Sequence, residues 1–324
     1  MCTWFSRLED RFREWVDPAR FDPACSHIGP ENYTRVVFVA PVPYDRFLMS
    51  IETLPTEQPE LLRTLSPSRA SDFKMCPQLF KFRAIDRIDM PATVHQARGT
   101  TAHLALQRLF DDTPDERTPE RLFDLFREAW GELRGNEEYG ELFESVAAER
   151  EWGIQSMGVL ANYFGIEDPR SFEPLDRELD MLEELDGITI RGILDRMEEG
   201  PDGVVITDYK TGKAPPERYA IPAFFALKIY ALLIRQRTGR TPVGLKLMYL
   251  NGPTVYEIPV NDTQLDAMDR QLRALWSAIN RAITTENFPP RPGRLCNWCQ
   301  YRDLCPAFAD TTASEGAAPL QAVG

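Results

Sequence analysis

From residue 66 onward the hydrophobic and polar positions fall into two regimes, first helical and then largely alternating. Ser66-Pro67-Ser68 reads as a helix start, with proline near the first helical position, and the helix carries Phe73 and ends near Cys76. Gly99-Thr100-Thr101 opens a second predicted helix, in which His103, Leu106, Gln107 and Phe110 recur at spacings of three, four and seven and share one inward-looking face. Charged helical segments from about 119 to 164 hold Trp130, Leu133, Phe143, Val146 and Trp152, and predict a helical insertion or lid over about 113–172. Near Pro174 the pattern changes. Residues 178–183, 189–195 and 204–210 are short segments bounded by Gly or Asp turns, the last two rich in β-branched side chains, and they predict consecutive strands. A helix over about 222–237, a strand near 245–250 and a long helix over about 262–285 complete a strand-helix-strand order. In the last helix Leu265, Met268, Leu272, Leu275, Ile279 and Ile283 form a core-facing stripe.

Residues 1–65 show no clear period beyond the apolar run Val36 to Ala40, and form an N-terminal extension of unassigned role. The Ala-, Thr- and Gly-rich residues 309–324 predict a disordered tail. At 324 residues, 43% hydrophobic and 27% charged, the chain is long enough to bury a substantial core. No apolar run approaches the roughly 20 residues of a membrane span, and Met1 to Phe12 lack a signal-peptide core, so the expected location is the cytoplasm with no membrane partner. A net charge of -13 argues against indiscriminate nucleic-acid coating. Between Arg218 and Tyr256, however, there is no acid, while Arg218, Lys228, Arg235, Arg237, Arg240 and Lys246 supply positive charge. This stretch is either a solvated basic surface or a phosphate-contacting one.

Candidate chemistry sits in the strand region. Asp208 and Lys210 lie two apart on a predicted strand, so both project to one face while Tyr209 points to the other. Asp195 ends the preceding strand after Gly192 thins its backbone, and Glu178 lies on the strand before. Three carboxylates converging there suit magnesium or manganese, hard cations that take oxygen ligands. A lysine beside them can orient a water, or take its proton if burial lowers the lysine pKa. Taken alone, Asp-x-Lys reads as ordinary surface charge and a histidine on an apolar face as a core residue making one hydrogen bond.

The ordered set Gly99-Thr100-Thr101-Ala102-His103, Glu178, Gly192-Ile193-Leu194-Asp195-Arg196, Asp208-Tyr209-Lys210-Thr211-Gly212 and Tyr230 resembles the RecB-like branch of the PD-(D/E)xK nucleases over roughly 65–308. The resemblance implies an α/β, restriction-endonuclease-like mixed sheet with flanking helices. It implies that Asp195 and Asp208 are metal carboxylates, His103 a helix-borne metal ligand, Lys210 the catalytic lysine, Glu178 a further acid, and Tyr230 the aromatic of a Gln-x-x-x-Tyr motif. Ala226 stands where that motif has glutamine.

Cys296-x2-Cys299-x5-Cys305, with Cys76 far upstream, offers four thiolates, which suit zinc or an iron-sulfur cluster. One upstream cysteine with a C-terminal trio resembles the subset that includes the CRISPR-associated and AddB-type nucleases, and implies a [4Fe-4S] cluster joining the two ends of the domain. Cys2 and Cys25 read as free thiols. The implied activity is a metal-dependent DNA nuclease, an exonuclease on single-stranded DNA or DNA ends. The alternative is a non-catalytic DNA-binding scaffold subunit of a repair complex. No Walker phosphate loop is present, so an intrinsic ATP-driven motor is not expected, while a helicase or repair partner remains compatible.

Overall fold

The computed structural model describes residues 64–309. The expectations for residues 1–63, Cys2, Cys25 and the tail from 310 therefore lie outside the described residues, whereas Thr64 and Leu65, expected in the N-terminal extension, form a strand of the sheet.

Ser66 caps the first helix, α1 (Pro67–Met75), by accepting a hydrogen bond from the Arg69 amide, and Pro67 occupies its first turn. Cys76 closes α1 and leads into α2 (Pro77–Phe80), followed by a π-helical turn over Lys81–Ile85. The next helix, α3 (Val94–Leu109), starts five residues before Gly99 because Thr93 and Gln96 form a capping box. Gly99 is thus inside the helix rather than at its start. The helical region continues with α4 (Pro119–Leu133), α5 (Val146–Ala161) and the short α6 (Tyr163–Ile166). Here Trp130, Trp152, Phe126, Tyr139 and Phe143 make an aromatic cluster, and Trp130 Nε1 donates to the buried Glu149 carboxylate at 2.7 Å.

The strands are β1 (Thr64–Leu65), β2 (Asp176–Leu185), β3 (Ile188–Gly200), β4 (Gly203–Lys213), β5 (Gly244–Asn251) and β6 (Thr254–Pro259). They form one mixed sheet in the order β1-β3-β4-β5-β6, with β2 paired to β3. β2, β3 and β4 make an antiparallel meander, while β4 and β5 are parallel and joined through α7 (Phe224–Thr238), a crossover that only a helix-length connection allows. After the β5–β6 hairpin, α8 (Asp262–Thr284) begins at the Asn261 cap. The expected strands and long helices are present, although β2, β3 and β4 run several residues further than their apolar alternation indicated. The additional strand β6 has exposed Val255 on a half-open edge, too weak a pattern to read beforehand.

Helices cover both faces of the sheet. One apolar core unites Ile190, Ile206, Leu245 and Leu247 with α1, α7 and α8, and includes Leu265, Met268, Leu272 and Ile279 of the predicted stripe. On the other face, Tyr209 meets the rings of Tyr163 and His103, so α3 and α6 abut β4 there. Each fully buried large apolar side chain contributes about 1.5–3 kcal/mol relative to exposure.

A buried ion cluster sits within this second layer. Arg196 is 1% exposed, pairs with Glu167 and with Glu198 (2.6 Å), and donates to the Tyr209 hydroxyl oxygen at 2.6 Å. Glu198 also receives Lys246 at 2.9 Å. Removing one member of such a set leaves its partners uncompensated. Arg196→Ala is therefore expected to lower the unfolding free energy by about 3–5 kcal/mol in chemical denaturation; a loss below 1 kcal/mol would show that water enters and solvates Glu167 and Glu198.

Candidate active site

Four elements deliver the candidate residues to one point. His103 lies in the third turn of α3, Glu178 on β2, Asp195 on β3, and Asp208 and Lys210 on β4. The ligand atoms of His103, Glu178 and Asp195 lie within 4.8 Å of one another, a separation that fits a single cation between them. Asp195 does not end its strand. It sits in mid-β3, just beyond the last ladder pair between Arg196 and Thr207, and its Oδ2 accepts the Tyr209 amide at 2.8 Å in place of a backbone carbonyl. His103 grips the same residue, with Nε2 3.1 Å from the Tyr209 carbonyl oxygen. With Nε2–H donated there, Nδ1 faces Asp195 Oδ2 at 3.4 Å and Glu178 Oε1 at 3.6 Å, the orientation a metal-ligating imidazole needs.

Glu178 has φ 46°, a left-handed conformation uncommon for a residue with a side chain. It stands opposite Asp195 in the β2–β3 register, where the ladder skips one pair. Backbone strain of this kind costs about 1–3 kcal/mol, and here it turns a carboxylate out of the sheet toward His103.

Asp208 and Lys210 share a face as the strand period requires, with Lys210 Nζ 2.6 Å from Asp208 Oδ2. The ammonium partners that buried oxygen, and the carboxylate stands beside two further acids, Asp195 and Glu178, a concentration of oxygen donors that fits a cation site. Burial, followed by the charge of Asp195, raises Asp208 to about 6 against the pull of Lys210 and His103.

Burial disfavours the charged form of His103, but hydrogen bonds to Asp195 and Glu178 and the charges of Asp195 and Asp208 outweigh it and raise the imidazole to about 10. For Lys210, burial likewise works against the ammonium, and Asp208 and Asp195 overcome it, so the net shift is upward. In the metal-free protein the lysine is therefore a cation at neutral pH. Burial pulls its pKa down as the sequence reading expects, and there the two carboxylates outweigh that pull.

Tyr230, on α7, completes the enclosure. A Cβ placed on Gly192 would lie 2.7 Å from the Tyr230 hydroxyl and 3.0 Å from Pro67 Cδ, so glycine here permits the tyrosine to reach the strand. Burial, then the charges of Asp195, Asp208 and Glu178, raise the Tyr230 pKa well above the ordinary tyrosine value. It remains a phenol and a hydrogen-bond donor. Ala226 lies one turn before Tyr230 on the same side of α7.

The sequence marks Arg196 only as part of a motif and gives no signal for Glu167 and Tyr163; together these three anchor the Tyr209 ring on the reverse face. Tyr209 was marked only as pointing away from Asp208, and Glu167 is 29 positions from Arg196 with no local pattern linking them. The basic stretch from Arg218 to Tyr256 resolves toward structure: Arg235 pairs with Asp262 and Asp266, Arg237 with Glu183, Arg240 with Glu199 and Lys246 with Glu198.

The four cysteines Cys76, Cys296, Cys299 and Cys305 are partly exposed free thiols lining one cavity of about 690 Å³. The amides of Arg291 and Gly293 donate to the sulfurs of Cys76 and Cys296 at 3.4 and 3.3 Å. Among the described residues, no three cysteine sulfurs lie mutually within 4.8 Å. No helix among those residues is long and apolar enough to cross a membrane.

Residues 64–306 match the family model of the PD-(D/E)XK nuclease superfamily. The chain is 23% identical over 309 residues to the Gene 69 protein of Mycobacterium phage L5, covering 78% of this chain and 99% of the phage protein. Among solved structures, it is similar to a candidate exonuclease from Eubacterium rectale, with 14% identity, 81% and 91% of the two chains covered and a TM-score of 0.45. SSO0001 is 16% identical, with 78% and 89% covered and a TM-score of 0.36.

Two outcomes follow from the geometry. Gly192→Ala is expected to cost about 1–3 kcal/mol in denaturant unfolding and to displace Tyr230; unchanged stability would mean that the tyrosine moves aside freely. In metal-free protein the raised His103 pKa makes the folded state bind its proton more tightly than the unfolded chain. That stabilisation is complete below about 6.5 and is lost as pH rises toward about 10. Metal-free protein should accordingly melt at progressively lower temperature over this window, whereas His103→Ala should lack the decline.

Proposed function

Because the chain belongs to the PD-(D/E)XK nuclease superfamily, we propose that it is a divalent-metal-dependent deoxyribonuclease, acting as an exonuclease on single-stranded DNA or DNA ends. The observation that carries this reading is the convergence of the His103, Glu178 and Asp195 ligand atoms, with Asp208 and Lys210 paired beside them.

In this reading His103, Asp195 and Asp208 hold Mg2+ or Mn2+, with Glu178 as a fourth donor. The cation supplies charge neutralisation at the scissile phosphate and a place to orient water. Lys210, held as an ammonium, stabilises the negative charge that builds on the phosphate oxygens as water adds and the ester oxygen departs. Tyr230, held as a phenol, donates a hydrogen bond into the same space. The Tyr209 carbonyl, accepting from Nε2–H, would fix the imidazole tautomer and leave Nδ1 turned toward the cation. No covalent enzyme intermediate is required.

We assign Cys76, Cys296, Cys299 and Cys305 to a [4Fe-4S] cluster. Their common cavity and two amide donors suit thiolate ligands, and one upstream cysteine with a C-terminal trio is the arrangement that resembles the cluster-bearing subset. Such a centre ties the end of α1 to the C-terminal segment across more than two hundred residues and supplies stability rather than chemistry. A role in repair beside a helicase partner accords with this reading. A scaffold role without turnover has Ala226 in its favour, since the polar side chain of the Gln-x-x-x-Tyr motif is missing.

Anaerobically purified protein should degrade end-labelled single-stranded DNA in the presence of Mg2+ or Mn2+ and leave circles intact, with Lys210→Ala and Asp195→Asn each slower by about 100-fold or more. Equal inactivity of the unmodified, folded protein would favour the scaffold reading. Cys299→Ala should lose iron and melt at lower temperature; unchanged iron content and melting would refute the cluster.

A further inference from the structure

A second recess of about 790 Å³ opens beside the cysteine segment, lined by Arg69, Arg83, Arg87, Gln96, Gln300 and Tyr301. Four chain regions build it: Arg69 comes from α1, Arg83 and Arg87 from the π turn and its exit, Gln96 from the first turn of α3, and Gln300 and Tyr301 from the cysteine segment. Arg83 is committed to Asp72 at 3.0 Å. Arg69 and Arg87, in contrast, have no carboxylate partner among the described residues. One acid, Asp89, also lines the recess, so the lining sums to three cations and one anion in a chain of net charge -13.

The recess is linked to the candidate active site through α3. Gln96 and His103 are seven residues apart, which puts them on one face of the helix. At 1.5 Å per residue the separation along the axis is about 10 Å, a short step along a nucleic-acid strand. Between them lies Gly99, whose missing side chain leaves the helix surface low beside Thr211, where a Cβ would find only the Thr211 hydroxyl at 3.8 Å. A chain laid along this face would therefore pass from the arginines to His103 without meeting a bulky side chain at position 99.

We propose that the Arg69–Arg87 recess is a phosphate-binding subsite for the substrate strand, holding a phosphate remote from the scissile one and so setting where the strand enters. The inference rests on the nuclease reading above. Two guanidinium groups with unused donors match phosphate oxygens in geometry and charge, and Gln96 and Gln300 offer neutral donors at the rim. Phosphate contacts of this type position a strand without reading its bases, so affinity here should be independent of sequence and sensitive to salt.

The test is anisotropy titration of a fluorescein-labelled single-stranded oligonucleotide, with and without a 5′-phosphate, over a range of salt concentrations. All proteins carry Lys210→Ala to block turnover. Adding Arg69→Ala and Arg87→Ala together should weaken binding about tenfold and reduce the salt slope by about 1–2. The lysine pair, Arg69→Lys with Arg87→Lys, should recover much of the loss, which guards against a folding defect. Arg170→Ala, which removes a charge paired with Asp168 elsewhere on the surface, should leave affinity unchanged. A loss confined to the phosphorylated oligonucleotide assigns the recess to the terminal phosphate, and an equal loss for both assigns it to the internal backbone.

Unaltered affinity and salt slope in the double alanine variant, or an equal loss in Arg170→Ala, would overturn the subsite while leaving the nuclease reading intact. If the parent protein neither binds DNA nor, with Lys210 restored, degrades it, the nuclease reading falls and the subsite with it.

Discussion

The peptide unit at Tyr209 ties the two layers of the molecule together at the point where the chemistry gathers. Its amide is held by Asp195 and its carbonyl by His103, while its ring is turned to the reverse face, where Arg196 donates to the hydroxyl. Strand alternation then leaves Asp208 and Lys210 no choice of side. Tyr209 itself adds no side chain to the site. It fixes the sites of four residues that do, and the buried Arg196 cluster behind it makes that position costly to shift.

The same region concentrates negative charge that the chain alone does not neutralise. Glu178, Asp195 and Asp208 surround one imidazole and one ammonium, and both cations have their pKa raised as a result. A left-handed Glu178 and a buried Asp208 held beside the charge of Asp195 are features that stability alone would not retain. They are the expected cost of keeping carboxylates convergent for a cation to occupy. Gly192 and Tyr230 close the space above, one by lacking a side chain and the other by filling what that leaves.

Charge elsewhere divides by accessibility rather than by abundance. The acid-free stretch from Arg218 to Tyr256 contributes four cations to ion pairs with carboxylates from β2, β3 and α8, and so clamps α7 and β5 to their neighbours. Arg69 and Arg87, which have no carboxylate partner among the described residues, line the second recess and come from a segment with no conspicuous basic run. Local charge density along a chain measures neither of these outcomes, because pairing is decided by which carboxylates the fold brings near.

The sequence by itself determined the element types with strong periods, the capped start of α1 at Ser66-Pro67, the stripe on α8, and the shared face of Asp208 and Lys210. Each of these follows from local rules that act within a few residues. It also supplied the candidate set His103, Glu178, Asp195, Asp208, Lys210 and Tyr230, through an order of motifs rather than through any one of them. The start of α3 is also local, since Thr93-x-x-Gln96 is a capping box that the Gly99 reading passes over. The tertiary structure alone decided the full length of β3 past Asp195, the edge strand β6, and the strained backbone of Glu178. It also decided protonation. Burial argues for a lowered lysine pKa, and only the placement of two carboxylates beside Lys210 reverses the sign, because Coulomb interactions depend on distances through space that separation along the chain does not encode.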